Sequence, residues 1–121
     1  MAQHNEFGKK GELFAKAYLE KLGYTIRDVN WRTGNMEIDI IAETNEQLII
    51  VEVKTRAAFQ PIDPRESITT GRIRRMVNAA HEYILQFDID KEPRFDLIFL
   101  VQDNQQFQVE HIEDAFLPPI N

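Results

Sequence analysis

Apolar side chains recur along two stretches of the chain at the spacing of an amphipathic helix. Over residues 9–22 the stripe consists of Leu13, Phe14, Ala17, Tyr18 and Leu22. Gly23 follows as a natural helix stop. A longer stripe over residues 66–87 consists of Ile73, Met76, Val77, Ala80, Ile84 and Phe87. The pattern therefore predicts two helices, each with one face toward a core.

Five shorter segments have the composition and spacing of strands. They cover residues 24–31, 36–42, 47–54, 95–101 and 107–112. Polar and glycine-containing turns separate them at Thr33-Gly34-Asn35, Thr44-Asn45-Glu46 and Asp103-Asn104-Gln105. Two prolines predict an exposed loop over residues 57–65. The order αβββαββ, with hairpins and two helices, predicts an α/β fold in which helices flank one mixed sheet.

Length and composition fit a single domain over residues 1–121, with a core of about 8–112 and an irregular, Pro-containing C-terminal tail. The absence of cysteine excludes disulfides and thiolate metal sites. No apolar run approaches the ~20 residues that a membrane-spanning helix needs. The polar N-terminus lacks the apolar stretch of a signal peptide. We therefore expect a cytoplasmic protein without membrane contacts.

The net charge of −6 is unevenly distributed. Residues 1–75 hold 12 basic and 11 acidic side chains, whereas residues 76–121 hold 2 and 9. Contacts with a polyanion depend on local basic groups, so the overall acidity is weak evidence against nucleic acid. It does argue against tight, indiscriminate coating of DNA.

Charged side chains interrupt the two central strands at matching places. Alternation in the third strand puts Ile49, Val51 and Val53 on one face, which should be core. The opposite face begins apolar and then turns charged, with Leu48, Ile50, Glu52 and Lys54. In the second strand, alternation puts Ile38 and Ile40 on one face and Glu37 and Asp39 on the other.

A short turn between these strands predicts that they are antiparallel neighbours, with Asp39 and Glu52 at similar distances from the turn. Two adjacent carboxylates repel each other unless a cation lies between them. Their hard oxygen atoms suit Mg²⁺ or Mn²⁺. Lys54 shares the face and can stabilise a pentavalent phosphate or help deprotonate water. The alternative is a set of ordinary surface ion pairs, and the spacing alone favours that alternative.

Further motifs change this balance. Asp39 followed by Glu52-Val53-Lys54 resembles the PD-(D/E)XK nuclease signature. The chain is identified as a member of the YraN-like family, small proteins described as endonucleases and distantly similar to archaeal Holliday-junction resolvases. The resemblance covers residues 8–101 and rests on Gly11-Glu12, Ala15, Ala17, Gly23-Tyr24, Asn30-Trp31-Arg32, Glu37 to Ala42, Val51 to Arg56 and Arg94-Phe95-Asp96.

The resemblance implies a restriction-endonuclease-like fold, with metal binding by Asp39 and Glu52 and with Lys54 as the catalytic lysine. Glu12 matches a helix-borne glutamate that helps to hold the metal in the resolvases. A carboxylate near a helix start also complements the helix dipole, and the two interpretations are evenly balanced. Two positions depart from the family pattern, because Met36 replaces a usual Gly and Arg72 replaces a frequent Lys. Neither departure removes a proposed metal ligand.

The remaining polar residues are assigned by position. Nucleic-acid contacts are expected for Arg32, Arg56, Arg65 and Arg72, and a solvated helix face is favoured for Arg74 and Arg75. Glu37 is expected to support the site by pairing with Arg32 or Lys54. Structural roles are expected for Trp31, as a packing residue, and for Asp96, which pairs with Arg94 or caps a turn. No metal ligand is expected among His4, His81 and His111.

Two functions compete. The first is a Mg²⁺- or Mn²⁺-dependent endonuclease acting on DNA, including branched or repair intermediates. A homodimer would follow for junction cleavage, because two strands require two active sites. The second is a non-catalytic module that binds nucleic acid or protein on the same fold, which the acidic last third of the chain favours.

Overall fold

The computed structural model describes residues 6–57 and 63–116. Its elements are α1 (Glu6–Lys21), β1 (Thr25–Thr33), β2 (Met36–Glu43), β3 (Gln47–Arg56), a 3-10 helix (Pro64–Ser67), α2 (Thr70–Phe87), β4 (Glu92–Asp103) and β5 (Gln106–Ile112). The predicted order αβββαββ is confirmed. Most of the loop predicted over residues 57–65 lies outside the described residues. The end of the predicted irregular C-terminal tail also lies outside them. In the described ranges, no helix is long and apolar enough to cross a membrane.

The five strands form one mixed sheet in the order β1-β2-β3-β4-β5. Neighbouring strands are antiparallel except β3 and β4, which are parallel and are connected through α2. This confirms the predicted mixed sheet flanked by helices, because α1 packs on one face and α2 on the other. A parallel pair requires such a crossover, which explains why the second helix lies between the third and fourth strands.

The central strand β3 is buried on both faces. Ile49 and Val51 lie in the core under α1, as alternation predicted. Leu48 and Ile50, on the opposite face, are equally buried and lie in the core under α2. A strand covered on both sides has a nearly continuous apolar sequence, and β3 has one. The Glu52 face of β3 is therefore an interior face under α2, so any charge on it must be compensated.

The face of α1 that packs on the sheet differs from the predicted stripe. Its buried residues are Gly11, Ala15 and Leu19. Leu13 and Leu22, both in the predicted stripe, are 68% and 52% exposed. Small residues four positions apart let the helix backbone approach the sheet closely, and close approach selects this face over the larger side chains.

The predicted helix over 66–87 is wrong at its start. Residues 64–67 form a 3-10 turn capped by Asp63, and α2 begins only after Thr69, whose hydroxyl oxygen accepts a hydrogen bond from the Arg72 amide at 3.0 Å. Ile68, in extended conformation between the two, is buried in the core. Phe87, the last residue of the predicted stripe, is 41% exposed.

Strand alternation breaks at Asp39. Ile38 lies in the core under α2 and Ile40 in the core under α1, so the prediction that they share a face is wrong. The register places Asn30 of β1 opposite Asp39, and Asn30 has a φ of 50°. This left-handed conformation, which Asn tolerates better than most residues, distorts the regular pleat. The irregularity in both strands occurs at the first carboxylate of the candidate site.

A second buried aspartate lies on β4, where the register places it beside Val51 of β3. Asp96 is fully buried and accepts two hydrogen bonds from Arg94, at 2.9 and 2.8 Å, and one from the Asp114 amide at 3.1 Å. Its Oδ2 lies 2.8 Å from Nε2 of His111. The expected pairing with Arg94 and the turn cap are thus both present. Although burial acts in the opposite direction, the contacts with His111 and Arg94 and the Asp114 amide lower the pKa of Asp96 below its ordinary value.

The predicted packing role of Trp31 is also confirmed. Its ring packs against the core under α2 and meets the Tyr83 ring edge to face, with ring centroids 5.0 Å apart. Tyr83 is buried, and its hydroxyl donates a hydrogen bond to Asp28 at 2.7 Å. Trp31 is therefore a packing residue beside the core under α2.

Candidate active site

The strand register brings Asp39 beside Glu52. The pairing of β2 with β3 ends at Ile40 and Val51, and the next residues along are Asp39 and Glu52. At this point the backbone amide of Val53 donates a hydrogen bond to Oδ2 of Asp39 at 2.8 Å. The Asp39 side chain thus accepts the hydrogen bond of the Val53 amide at the point where β2 and β3 separate. As predicted, Asp39 and Glu52 therefore lie at similar distances from the turn between β2 and β3.

Both carboxylates are buried. Asp39 is 6% exposed and Glu52 is 4% exposed. Burial and the neighbouring charge of Glu52 raise the pKa of Asp39 well above its ordinary value, and the more distant charge of Glu12 adds to this rise. The hydrogen bond from Val53 and the charge of Arg72 act in the opposite direction. The interior therefore disfavours the ionised form of Asp39 beside Glu52, and a cation would stabilise that form.

Arg72 supplies a cation to this pair in the structure. Its Nη2 lies 2.8 Å from Oε1 of Glu52, and its Nε lies 3.3 Å from Oε2. The cap at Thr69 starts α2 so that Arg72 lies in the first turn, above the end of β3. Sequence reasoning assigned Arg72 to phosphate contacts. In this arrangement its planar fork instead holds Glu52 in a two-point ion pair.

Glu12 approaches the pair from α1. Gly11 packs so closely on β3 that a Cβ added there would collide with the hydroxyl of Thr55. The amide of Asn30 donates a hydrogen bond to Oε1 of Glu12 at 3.1 Å. Because α1 begins at Glu6 rather than at residue 9, Glu12 lies beyond its first turn, where interaction with the helix dipole has largely decayed. The role of Glu12 as a metal ligand remains a prediction.

Glu37 forms an ion pair with Arg32, which is one of the two partners that the sequence analysis predicted for it. Nε of Arg32 lies 3.4 Å from Oε2 of Glu37, which is buried. Lys54, the other candidate partner, is half-buried beside Phe99 of β4. No residue in the described parts of the chain forms an ion pair with Lys54. Its ammonium group is therefore not engaged by a protein carboxylate there.

The other two predicted nucleic-acid contacts lie outside the carboxylate pair. The guanidinium of Arg56 lies over the ring of Phe99, 5.9 Å from its centroid, and donates to the Thr55 carbonyl at 3.2 Å. Arg65 is exposed in the 3-10 turn. Both remain predictions as phosphate contacts.

An open pocket adjoins the carboxylates. It has a volume of about 580 Å³ and is lined by Arg32, Gly34, Asn35, Met36, Glu37, Arg72 and Arg75. The sequence analysis assigned Arg75 to a solvated helix face and did not predict that it lines this pocket. Its position three residues after Arg72, and so on the same side of a helix, was the available signal. Met36, which departs from the family's usual Gly, lies on the pocket wall beside the Gly34-Asn35 turn.

Carboxylate oxygens are the type of ligand that a hard divalent cation such as Mg²⁺ prefers. Asp39 and Glu52 supply carboxylate oxygens, and Glu12 is close enough to raise the pKa of Asp39. Mg²⁺ commonly uses one or two carboxylates and completes its shell with water and substrate oxygens. Within residues 6–57 and 63–116, no three acidic or histidine side chains converge closely enough to hold a metal ion by themselves. Arg72 occupies the Glu52 oxygens in this arrangement.

Comparisons with known proteins extend over nearly the whole chain. The model of a family described as "Uncharacterised protein family UPF0102" matches residues 11–100. A UPF0102 protein of Phocaeicola vulgatus is 48% identical over 120 residues, which cover 99% of both chains. A UPF0102 protein of Flavobacterium psychrophilum is 42% identical over 116 residues, which cover 96% of this chain and 98% of the relative. With its fold and all the residues of the candidate site inside the matched range, the chain belongs to the UPF0102 family.

Proposed function

We propose that this chain is a metal-dependent endonuclease that hydrolyses DNA phosphodiester bonds. The observation that carries the proposal is the buried pair Asp39 and Glu52, located where β2 and β3 separate. Keeping two carboxylates in an interior position costs stability unless a cation compensates them. A site that performs no chemistry would gain stability from apolar residues at these positions.

Each residue has a role in this proposal. Asp39 and Glu52, with Glu12 beside them, hold Mg²⁺ or Mn²⁺. When bound, the cation supplies Lewis-acid stabilisation of phosphoryl oxygens and acidifies an attacking water. The hydrogen bond from Val53 fixes the direction of the Asp39 carboxylate. Lys54, on the same strand as Glu52, donates to the phosphate as negative charge develops on it.

The basic residues around the pocket support a polyanionic substrate. Arg32, Arg72 and Arg75 line it beside the carboxylates. Together with Arg56 and Arg65 they belong to residues 1–75, where basic and acidic side chains nearly balance, and not to the acidic last third of the chain. Phosphate contacts position a nucleic acid without reading its sequence, which suits a substrate defined by shape, such as branched or repair intermediates.

The direct test is cleavage of labelled branched, flapped and single-stranded DNA in the presence of Mg²⁺ or Mn²⁺. We expect cutting that is lost with chelator and in Asp39→Ala and Glu52→Ala. Asp103→Ala, which removes an exposed carboxylate at the end of β4, is the matched control and should cut normally. No metal-dependent cutting of any substrate, or equal cutting by Asp39→Ala, would disprove the proposal. Cutting both strands of a junction further requires a homodimer, which sedimentation with and without junction DNA would reveal.

One observation favours the alternative, a non-catalytic module that binds nucleic acid or protein. Arg72 already satisfies Glu52 through two contacts, so the pair is compensated without a metal. Calorimetric titration with Mn²⁺ separates the two functions. The nuclease requires a cation site that disappears in both Asp39→Ala and Glu52→Ala, whereas the binding module requires none.

A further inference from the structure

The pocket beside the carboxylates has an excess of positive charge. Of its seven lining residues, Arg32, Arg72 and Arg75 are basic and only Glu37 is acidic. Glu37 is engaged with Arg32 at 3.4 Å. Arg75 is exposed, and no carboxylate in the described ranges forms an ion pair with it. A concave, basic surface of this kind fits a phosphate group better than an apolar or cationic ligand.

Arg72 belongs to two sites at once. Its guanidinium contacts both oxygens of Glu52 and also forms part of the pocket wall. A divalent cation held by Asp39 and Glu52 would need Glu52 oxygens that Arg72 now uses. A cation bound to Glu52 would repel the guanidinium on the same carboxylate, so the metal and the two-point arginine contact compete.

We propose that this pocket is a phosphate subsite for the nucleic-acid strand next to the cleaved bond, and that Arg72 moves from Glu52 to that phosphate when a divalent cation binds. The inference rests on the proposed function, since it assumes that Asp39 and Glu52 hold the cation. Arg72 is then a substrate-binding residue that pairs with the phosphate only after the metal has displaced it. Arg75 is the constant part of the subsite.

Linkage gives this arrangement a measurable consequence. A metal that releases Arg72 makes the pocket a better phosphate site, and by reciprocity a phosphate that captures Arg72 makes the carboxylates a better metal site. Each ligand should therefore tighten the binding of the other. Without Arg72 this coupling shrinks to the direct contact between cation and phosphate, and the metal site loses its internal competitor.

The experiment combines Mn²⁺ calorimetry on the free protein with fluorescence anisotropy of a labelled DNA oligonucleotide. The anisotropy is measured with and without Mn²⁺ in the cold, and a gel afterwards checks that the oligonucleotide is intact. In the unaltered chain we expect Mn²⁺ to tighten oligonucleotide binding by about tenfold. In Arg72→Gln we expect roughly tenfold tighter Mn²⁺ binding, because a charged two-point contact no longer competes. The tightening of oligonucleotide binding by Mn²⁺ should be smaller in that variant, since only the direct contact between cation and phosphate remains.

Three further variants distinguish competition between Arg72 and Mn²⁺ for Glu52 from a general effect of positive charge on Mn²⁺ affinity. Arg75→Gln removes a positive charge from the same pocket without touching Glu52, so it should weaken oligonucleotide binding and leave Mn²⁺ affinity nearly unchanged. Arg72→Lys keeps the charge but not the two-point contact, so its Mn²⁺ affinity should fall between those of the natural chain and Arg72→Gln. Arg74→Gln alters an exposed residue that does not line the pocket, and both affinities should stay as they are.

The outcomes distinguish this inference from the function on which it rests. If Mn²⁺ binds through Asp39 and Glu52 but Arg72→Gln neither tightens its binding nor reduces the coupling, the Arg72 inference is wrong and the nuclease proposal stands. An equal gain in Mn²⁺ affinity in Arg75→Gln also overturns it, because a general field effect would then explain the result. If no variant binds Mn²⁺, both proposals fail.

Discussion

The backbone amide of Val53 is hydrogen-bonded to the side chain of Asp39, at 2.8 Å, and not to a backbone carbonyl of β2. This contact lies at the end of the β2–β3 pairing and holds a buried carboxylate that burial and Glu52 keep at a raised pKa. The β2–β3 pairing thus ends where Asp39 and Glu52 bring two buried carboxyl groups together. The strands separate there without breaking the core on either face of the sheet.

Asp39→Asn should make the protein more stable at neutral and higher pH. The amide oxygen of Asn can still accept from Val53, and the buried charge is removed. A carboxyl whose folded-state pKa is raised stabilises the fold at low pH and loses that contribution as pH rises from its ordinary value of 3.8 through the raised value. The advantage of Asn, on the order of 1 kcal/mol, should therefore grow with pH.

Urea unfolding of both proteins at about pH 5 and about pH 8, with chelator present, measures this difference. Asp39→Ala is the comparison variant. It removes the charge together with the hydrogen bond from Val53, so its gain in unfolding free energy should be smaller than that of Asp39→Asn. A stability difference between Asn and Asp that is constant with pH, or that shrinks as pH rises, would show that Asp39 is not strained by its charge.

Lys54→Gln should separate metal binding from turnover. Lys54 forms no ion pair with a carboxylate in the described residues, so its loss leaves Asp39 and Glu52 as they are. We expect Mn²⁺ affinity within a few-fold of the natural value and a loss of cleavage rate of about 100-fold or more. Lys21→Gln, at the exposed end of α1, is the control and should change neither quantity. Normal cleavage by Lys54→Gln would remove lysine from the mechanism.

Asp96→Asn should be destabilising, in contrast to the same change at Asp39. Removing the carboxylate leaves Arg94 with only the exposed Glu113, 3.6 Å away, as a carboxylate partner, which should cost about 3 kcal/mol at neutral pH. Because the folded-state pKa of Asp96 is lowered, its contribution is complete above the ordinary value of 3.8 and is lost as pH falls through the lowered value. The loss should therefore shrink in strong acid.

Unfolding free energies in urea at neutral pH and in the acid range test this prediction. Mn²⁺ affinity provides the internal control, since Asp96 contacts Arg94, His111 and Asp114 and none of the candidate site residues. A stability loss that does not diminish in acid would mean that the ion pair with Arg94 is not its cause.

Gly11→Ala should loosen the packing of α1 on β3. The added Cβ would collide with Thr55, and the resulting overpacking should cost about 1–3 kcal/mol despite the better helix propensity of Ala. Gly71→Ala is a matched control in α2, because its Cβ would meet Arg75 at an ordinary 3.5 Å. Thermal unfolding compares the two. Thr55→Ala should partly rescue Gly11→Ala, and additive effects of the two changes would contradict a direct clash.

Element order and strand pairing could be predicted because they depend on local periodicity and short turns. The three hairpin turns fall where Gly, Asn and Thr interrupt the apolar segments, and the register that joins Asp39 to Glu52 follows from one of them. The packed face of α1 could not be predicted in this way. Hydrophobicity favoured Leu13, but close approach of the helix selects the small Gly11 and Ala15, and the required distance is a property of the assembled sheet.

The candidate site was predictable in composition but not in arrangement. Asp39, Glu52 and Lys54 follow from alternation and family motifs, and Glu12 from the resemblance. The contact between Arg72 and Glu52 joins residues 20 positions apart on different elements, and no periodicity encodes it. The break in alternation at Asp39 was equally hidden, since it depends on the backbone conformation of Asn30 in a neighbouring strand.

The parallel pairing of β3 with β4 has a consequence for the order of folding. Asp39 and Glu52 belong to one hairpin with a short loop, which closes at little entropic cost. Arg72 lies on the crossover helix that joins β3 to the more distant β4, and such non-local pairings form slowly. The two carboxylates therefore meet first in a solvated hairpin, and docking of α2 removes their water and delivers the arginine in the same step. The growing chain never has to bury Glu52 before its counterion arrives.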